Sequence, residues 1–396
     1  MNDWFQRQLQ AIEAEGLTRN LRSLSTGNDT EVMIEGNKYV LFSSNNYLGL
    51  ATDSRLKERA MNGISLYGTG SGGARLTTGN MVIHEQLERE IAELKGTEAS
   101  IVFSSGYLAN VGFISSVMGE GDIIFSDAWN HASIIDGCRL SKAKTIRYAH
   151  ADMLDLEEKL RAWQGEGKKL IVTDGVFSMD GDIAPLPEIV ALAKKYNAYI
   201  MVDDAHATGV LGECGGGTID YFGLQHEVDF IVGTLSKAVG TEGGFVAGSS
   251  LAIQYLRNRA RTFIFQTALS PGVIEAAREG IRLIQHEPER RQRLLKNAHF
   301  LYTNLARQGF TISPSNTPII SLLIGDANQA VEFSEQLMEE GIYIPAIRPP
   351  TVPQGSSRLR ITVMATHTEE QLRMVVDHVS EIGRRMGVIK SFVNQT

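Results

Sequence analysis

Two apolar runs that end in polar residues indicate the fold class: Tyr199-Ile-Met-Val-Asp-Asp-Ala-His206 and Phe230-Ile-Val-Gly-Thr-Leu-Ser-Lys237. Runs this short and this apolar are typical of strands that are buried on both faces of a parallel sheet. Similar runs precede them, at Ile101-Val-Phe103, Ile123-Ile-Phe125 and Leu170-Ile-Val-Thr173. Helical stretches such as residues 186–196 lie between the runs. Strands that alternate with helices predict an α/β fold with a large, mainly parallel sheet.

The polar ends of the two quoted strands carry a carboxylate and an amine, Asp203 and Lys237. Binding sites in open α/β sheets lie beyond the carboxyl ends of the strands, so we expect both side chains to face one crevice. Pyridoxal phosphate (PLP) requires such a pair, because an amine holds it as an imine and an acid keeps its ring nitrogen protonated. A solvated lysine and a helix-capping aspartate are the commoner roles for either residue alone. Together they predict a PLP site.

Other polar groups follow neighbouring strands and belong to the same predicted crevice. His131 could lie flat on the cofactor ring, and Ser178 and His206 could bind its phenolic oxygen. Ser104-Ser-Gly-Tyr-Leu-Ala-Asn110 follows a strand and opens a helix, so its backbone amides and the helix dipole can hold a phosphate. An isolated histidine is more often a core residue, and a glycine at such a turn often has a geometric role. The prediction therefore depends on the clustering of these groups at successive strand ends.

The composition is that of an ordinary globular protein, with 43% hydrophobic and 21% charged residues among 396. Lys and Arg number 38 against 46 Asp and Glu, for a formal charge of -8, and no basic block appears, so no nucleic-acid partner is expected. Cys138 and Cys214 are too few for a disulfide framework and lack the spacing of a metal site, which suits a reducing cytoplasm. The polar first residues and the lack of a long apolar stretch predict neither a signal peptide nor a membrane span.

The chain length predicts more than one domain. Residues 1–50 are expected to form an N-terminal helix and short strands, and residues 51–270 the large PLP-binding α/β domain. After residue 270, charged helical segments precede strands that alternate with helices, which predicts a smaller C-terminal α/β domain over residues 271–396. The three prolines of the loop 347–353 exclude regular structure there.

These motifs together resemble those of the α-oxoamine synthases, PLP enzymes of the aspartate aminotransferase fold (fold type I). The resemblance covers nearly the whole chain and is carried by Asn20-Leu-Arg22, Ser44-Asn-Asn-Tyr-Leu-Gly49, Gly70-Ser-Gly-Gly73, residues 127–133, Thr173-Asp-Gly-Val-Phe-Ser-Met-Asp-Gly181, Val202-Asp-Asp-Ala-His206, Thr234-Leu-Ser-Lys237, Ala346-Ile-Arg-Pro-Pro-Thr-Val-Pro353 and Arg358-Leu-Arg360. The last two indicate the branch that condenses L-alanine with a pimeloyl thioester, on coenzyme A or a carrier protein, in biotin synthesis. Gly137-Cys-Arg-Leu140 and Ile382-Gly-Arg-Arg-Met-Gly-Val388 echo the branch that joins glycine to acetyl-coenzyme A, which remains an alternative.

The resemblance implies how the chain would hold the cofactor ring. Lys237 would be the imine-forming lysine and the general base, and Asp203 the partner of the pyridine nitrogen. His131 would stack on the ring and donate a hydrogen bond to the carbonyl oxygen of the acyl substrate. His206 and Ser178 would contact the phenolic oxygen.

The resemblance also implies a phosphate site that two subunits share. Thr234 and the backbone amides of Gly106 and Tyr107 would hold the phosphate. Thr267 would reach it from the neighbouring subunit. The expected assembly is therefore a homodimer with active sites at its interface.

The resemblance also implies that an arginine binds the carboxylate of each of the two substrates. Arg360, helped by Asn45, would bind the carboxylate of the amino acid, and Arg22 the remote carboxylate of the acyl chain. The distant alternative is a catalytically silent binding protein built on an aminotransferase-like domain. Retention of the lysine, the aspartate and the histidine together argues against it.

Overall fold

The computed structural model describes residues 1–14, 18 and 21–390, so Asn20 of the first family motif lies outside the described residues. The helices are α1 (Asn2–Ala14), α2 (Ser54–Tyr67), α3 (Val82–Lys95), α4 (Gly106–Val117), α5 (Ala132–Ser141), α6 (Met153–Ala162), α7 (Leu186–Tyr196), α8 (Thr218–Phe222), α9 (Ser250–Arg259), α10 (Arg261–Ile264), α11 (Pro271–His286), α12 (Pro288–Arg307), α13 (Ala327–Glu339) and α14 (Glu369–Arg385). The strands are β1 (Glu31–Ile34), β2 (Asn37–Leu41), β3 (Ala99–Phe103), β4 (Ile123–Asp127), β5 (Lys144–Tyr148), β6 (Lys169–Asp174), β7 (Tyr199–Asp203), β8 (Phe230–Thr234), β9 (Gly244–Gly248), β10 (Ile319–Gly325), β11 (Ile342–Tyr343), β12 (Ala346–Ile347) and β13 (Ser357–Thr362). Within the described residues, every helix is too short or too polar to span a bilayer.

A seven-stranded sheet in the order β3-β9-β8-β7-β6-β4-β5 forms the centre of the structure. Strands β4 to β8 pair in parallel, whereas β9 is antiparallel to both of its neighbours, β8 and β3. This confirms the predicted large, mainly parallel sheet. In the register of β6 and β7, Asp174 lies directly beside Asp203. The carboxyl ends of the parallel strands therefore bring polar side chains to one edge, as the fold class requires.

Apolar side chains cover both faces of this sheet, because successive residues of a strand point to opposite sides. Ile171 and Val202 belong to a core that also contains residues of α3, α7 and α11. Their chain neighbours Val172 and Met201 belong to a second core, which includes residues of α4 and α9. Burial on both sides explains why these strands contain almost no polar residue before their carboxyl ends.

Residues of the antiparallel sheet β10-β13-β12 and of the helices α12, α13 and α14 form a separate core. Phe42, just after β2, also belongs to this core. The strand β2 pairs with β1 in a hairpin and with β11 in parallel, so the N-terminal segment is joined to the C-terminal part of the chain. Helix α11 instead contributes Ile274 and Ile281 to the core of the large sheet. The domain boundaries at residues 50 and 270 stay predictions.

A buried ion pair fixes the loop that follows β7. The side chains of Lys95, at the end of α3, and Asp204 are both 0% exposed, and Nζ lies 2.7 Å from Oδ2. The Lys95 ammonium also donates to Thr208 Oγ1 and to the Gly216 carbonyl, each at 2.7 Å. All three of its donors therefore have acceptors. The pair holds the backbone directly after Asp203.

Replacing Lys95 with methionine is expected to lower the free energy of unfolding by about 3–5 kcal/mol, because Asp204 would stay buried without its counter-ion. Chemical denaturation of the purified protein measures this loss. The control is Lys194→Met, which breaks a pair with Glu227 whose side chains are 63% and 40% exposed. That change is expected to cost less than about 1 kcal/mol. Equal losses in the two variants would contradict the structural role given to Lys95.

Candidate active site

The amine of Lys237 lies in a row of hydrogen-bonded groups beyond the end of β8. Its Nζ is 2.8 Å from Nε2 of His206, whose Nδ1 is 2.7 Å from the hydroxyl of Tyr47. Burial lowers the pKa of His206 well below its usual value, and the nearby charges of Lys237 and Arg360 lower it further. The imidazole is therefore neutral, and it can accept a hydrogen bond from the lysine amine.

Burial also lowers the pKa of the Lys237 amine, to about 8. The negative charges of Asp203 and Asp174 oppose this shift, and the positive charge of Arg360 adds to it. An ordinary lysine is almost fully protonated at neutral pH, with a pKa of about 10.4. Lys237 thus has a far larger fraction of free amine, the form that acts as a nucleophile or a base.

Asp203 ends β7 and is buried, with two donors already on its carboxylate. Oδ1 accepts from the backbone N–H of Ala205 at 3.0 Å, and Oδ2 accepts from Nδ2 of Asn110 at 2.6 Å. Its neighbour in the sheet, Asp174, accepts from the backbone N–H of His131 at 2.7 Å. Burial raises the pKa of Asp174 well above its usual value, and the charge of Asp203 raises it further.

His131 precedes α5 and caps its first turn. Its Nδ1 accepts from the backbone N–H of Ser133 at 3.3 Å and lies 2.7 Å from the Ser133 hydroxyl. Partial desolvation lowers the pKa of the imidazole, with the charge of Asp203 opposing and that of Lys237 adding to the effect. The charges of Asp203 and Lys237 therefore both act on the His131 imidazole, so the three side chains lie near one another.

The first turn of α4 lies against the end of β8 and offers a place for a phosphate. A Cβ added to Gly106 would lie 3.3 Å from Cβ of Thr234, and one added to Gly244 would lie 2.4 Å from the Gly106 nitrogen. A side chain at position 244 would therefore collide with the backbone of α4, and only a glycine there lets the two backbones approach each other. The unpaired N–H groups and the dipole of a helix N-terminus attract anions. The hydroxyl of Tyr107 donates to Asp136, so it is the backbone of this residue that is available.

Arg360 brings a buried cation from β13 to the loop that follows β6. Its Nη2 donates to Oδ1 of Asn45 at 3.2 Å, and its Nε donates to the carbonyl of Ser178. Asn45 Oδ1 also accepts from the hydroxyl of Tyr47 at 3.3 Å, which in turn contacts His206. The Arg360 guanidinium, the His206 imidazole and the Lys237 amine are thus parts of one continuous polar network.

Comparison with known proteins identifies the family of this chain. The sequence profile of aminotransferase class I and II matches residues 37–379. The chain is 70% identical to 8-amino-7-oxononanoate synthase of Lysinibacillus sphaericus, over 98% of this chain and 100% of that protein. The chain belongs to the aminotransferase class I and II family.

Solved structures place it more narrowly within this family. A serine palmitoyltransferase variant from S. paucimobilis with a bound PLP–myriocin aldimine has a TM-score of 0.93 and 35% identity, over 98% of both chains. An 8-amino-7-oxononanoate synthase from Francisella tularensis has a TM-score of 0.76 and 30% identity, over 88% of this chain and 98% of that one. The chain is an α-oxoamine synthase of fold type I, a PLP-dependent acyltransferase. This confirms the predicted fold, cofactor and enzyme class.

PLP fits the residues that this family member brings together. Lys237 would supply the amine, Asp203 would supply a buried carboxylate with unused lone pairs, and the backbone of the first turn of α4 would hold the phosphate. Thr234 donates from Oγ1 to the Gly243 carbonyl at 2.9 Å, which places its hydroxyl between β8 and β9, beside that turn.

Two predicted site residues of the synthase lie apart from this cluster in the single chain. The described contacts of Arg22 are with Sδ of Met338 at 2.9 Å and with the ring of Tyr343. Thr267 is exposed and forms an isolated bridge with Ala74. The role predicted for Thr267 belongs to the neighbouring subunit, so it stays a prediction, as does the role of Arg22.

Four polar residues of the site were not predicted from the sequence: Tyr47, Asn110, Ser133 and Asp174. Asn110 could have been noticed, because it is a polar residue inside the otherwise apolar first half of α4, and it is 1% exposed. Asp174 ends a buried strand, as Asp203 does. Ser133 and Tyr47 have no comparable signal, since their partners come from distant parts of the chain.

The lowered pKa of Lys237 predicts how the cofactor-free synthase takes up PLP. Only the neutral amine attacks an aldehyde. The neutral fraction of Lys237 rises steeply with pH until the pH reaches the pKa of the amine, about 8. We expect the initial rate of PLP capture to rise about tenfold per pH unit below this value and to level off above it. Stopped-flow absorption, corrected with Lys237→Ala, measures the rate. A rate that keeps rising to pH 10 would contradict the lowered pKa.

Proposed function

We propose that this chain condenses L-alanine with pimeloyl-coenzyme A, or with a pimeloyl carrier protein, to give 8-amino-7-oxononanoate, carbon dioxide and the free carrier in biotin biosynthesis. The observation that carries the choice of substrates is the 70% identity to a synthase with this product, over the whole length of that protein. The polar site supports the type of reaction, because its amine, acid and imidazole lie together at the strand ends.

The chemistry begins with removal of a proton from Cα of alanine. Bound PLP supplies an electron sink for the charge that this step leaves on Cα. Lys237 takes the proton on Nζ, for which its lowered pKa of about 8 prepares it. Asp203 holds the proton of the ring nitrogen, with the donors from Asn110 and Ala205 keeping its carboxylate in place.

The carbon–carbon bond then forms between alanine Cα and the thioester carbonyl carbon. His131 donates a hydrogen bond to the carbonyl oxygen as negative charge develops there, and stabilisation of this kind often contributes more than any other effect to the catalysis of acyl transfer. The carbon–sulfur bond breaks, and the thiolate leaves and takes a proton from the solvent. The alanine carboxylate leaves as carbon dioxide, and the Lys237 ammonium returns a proton to the same carbon.

Carboxylate contacts position the two substrates. Arg360 binds the alanine carboxylate with help from Asn45, which already accepts a hydrogen bond from it. A buried guanidinium suits this role because its planar donors match a carboxylate. Arg22 binds the remote carboxylate of the pimeloyl chain, and His206 and Ser178 contact the phenolic oxygen of the cofactor.

The assembly that we propose is a homodimer, in which Thr267 of each subunit completes the phosphate site of the other. The exposure of this threonine supports that role. We also place the enzyme in the cytoplasm, because both Cys138 and Cys214 are free thiols, as is usual in a reducing compartment.

A paired-substrate assay tests the proposed function. The purified holoenzyme is given alanine with pimeloyl-coenzyme A, glycine with acetyl-coenzyme A, or serine with palmitoyl-coenzyme A, and the product mass and thiol release are measured. Serine and palmitoyl-coenzyme A are included because of the structural likeness to serine palmitoyltransferase. We expect the pimeloyl pair to be turned over fastest. Faster turnover of glycine and acetyl-coenzyme A would assign the chain to the 2-amino-3-oxobutyrate coenzyme A ligase branch.

A further inference from the structure

We propose that Asn110 and Ser133 fix the tautomer of His131, so that its proton sits on Nε2 and points at the reacting carbonyl oxygen. The two residues act as positioning residues, and they join His131 to Asp203 in one hydrogen-bonded chain. The inference deepens the proposed function, on which it rests for the role of His131. The geometry that supports it comes from Asn110 and Ser133, neither of which was predicted as a site residue.

The contacts of the Asn110 side chain fix the orientation of its amide. One side of the amide lies 2.6 Å from Oδ2 of Asp203 and 2.8 Å from Oγ of Ser133. A carboxylate accepts hydrogen bonds and cannot donate them, so the group facing it must be the NH₂. The opposite orientation would place two acceptors 2.6 Å apart and leave both amide hydrogens buried without partners. As oriented, the amide leaves only its Oδ1 without a partner.

The Ser133 hydroxyl connects the Asn110 amide to the His131 imidazole. It accepts one of the two amide hydrogens of Asn110, so its own hydrogen is left for another acceptor. Nδ1 of His131 lies 2.7 Å away. The backbone N–H of Ser133 also points at this nitrogen, at 3.3 Å. Two donors directed at Nδ1 require that it carry no proton, and the proton of the neutral imidazole is then on Nε2.

As a consequence, the Nε2–H group of His131 is a hydrogen-bond donor with a fixed direction. Nδ1 is turned toward the first turn of α5, so Nε2–H is on the opposite side of the ring. A donor that is oriented before the reaction needs no rearrangement when charge develops on the carbonyl oxygen. The same Asn110 amide holds the carboxylate of Asp203. One side chain therefore sets both the acid that serves the cofactor ring and the histidine that serves the acyl group.

Nitrogen NMR tests the tautomer without any turnover. Cofactor-free protein labelled with ¹⁵N-histidine contains nine histidines, and a spectrum of His131→Gln identifies the signals of His131. Two-bond ¹⁵N–¹H correlations distinguish the two tautomers. We expect wild-type His131 to be protonated on Nε2. Ser133→Ala should move its nitrogen signals toward the average of the two tautomers, and Asn110→Ala should move them in the same direction by less.

The matched control is Ser141→Ala, which removes another buried serine hydroxyl from the same helix. That hydroxyl donates to the Cys138 carbonyl at 2.7 Å and accepts from the N–H of Ala143. We expect Ser141→Ala to leave the His131 signals unchanged. A proton on Nδ1 in the wild type, or equal spectra for Ser133→Ala and the wild type, would overturn the inference. The wild-type spectrum decides the tautomer even where a variant fails to fold.

Kinetics separate this role from a purely structural one. In Ser133→Ala we expect kcat to fall about 5–10-fold, the loss expected for one hydrogen bond, with the KM for alanine little changed. A structural defect would lower the amount of active enzyme but leave kcat per bound cofactor and the His131 tautomer unchanged. If the NMR result holds but pimeloyl-coenzyme A is not a substrate, the proposed function fails and the tautomer assignment stands.

Discussion

Replacing Lys237 with alanine is expected to lower kcat at least about 1,000-fold. The change removes the group that holds the cofactor covalently and also the base that takes the Cα proton, and base catalysis alone contributes about 100-fold to 10,000-fold. The amine is well prepared for both tasks, because burial lowers its pKa to about 8. Release of thiol from pimeloyl-coenzyme A in the presence of alanine measures the loss. The absorption band of the covalently held cofactor should disappear as well.

The control for this experiment is Lys195→Ala, which removes a lysine whose side chain is 60% exposed and paired with Glu157. Turnover and the absorption band are expected to stay within about twofold of the wild type, as is usual for surface changes. If Lys237→Ala kept more than about a tenth of the wild-type rate, another group would have to be the base.

The second large effect is expected for Asp203→Asn, which should lower kcat about 10–150-fold. The amide has nearly the volume of the carboxylate but no charge, so it cannot stabilise a proton on the ring nitrogen. A hydrogen bond to a charged group contributes about 1.5–3 kcal/mol, and each 1.4 kcal/mol corresponds to about a tenfold change in rate. The buried position strengthens the effect, because Asp203 is only 5% exposed. The same thiol-release assay measures it.

Asp152→Asn is the matched control, since it makes the same chemical change at a helix N-cap. Asp152 accepts from the backbone N–H groups of Leu154 and Asp155, and asparagine caps helices about as well. The rate should not change. A small effect of Asp203→Asn, within about threefold of this control, would remove the aspartate from the proposed mechanism.

Much of the site could be predicted because it lies at the ends of buried strands. In a parallel sheet, the strand direction alone places Asp203, Lys237 and His131 on one side. In the structure, the charges of Asp203 and Lys237 act on His131, and Lys237 Nζ contacts His206. Arg360, predicted from the family resemblance, joins the same region from β13. Polar residues directly after an apolar run were therefore useful for predicting which residues lie at the carboxyl edge of the sheet.

The parts of the fold and of the site that were not predicted depend on contacts between distant parts of the chain. The strand β9 was not predicted, because Gly244-Phe-Val-Ala-Gly248 begins in a glycine-rich segment that is typical of a loop. The strand β5 was missed because it is an edge strand with polar residues, Lys144-Thr-Ile-Arg-Tyr148. The link from Asn110 to Ser133 joins α4 to α5, and no spacing along the sequence encodes it.

The antiparallel β9 also has a consequence for synthesis on the ribosome. The edge strand β3 pairs with β9, which stands between it and β8. A nascent chain therefore leaves β3 without its partner until residue 248 has emerged, although β3 is made long before. The glycine contact that shapes the anion pocket, between Gly106 and Gly244, forms equally late. We therefore expect the proposed phosphate site for PLP to form only once the large sheet is complete, and chains that stall earlier to expose open strand edges to chaperones and proteases.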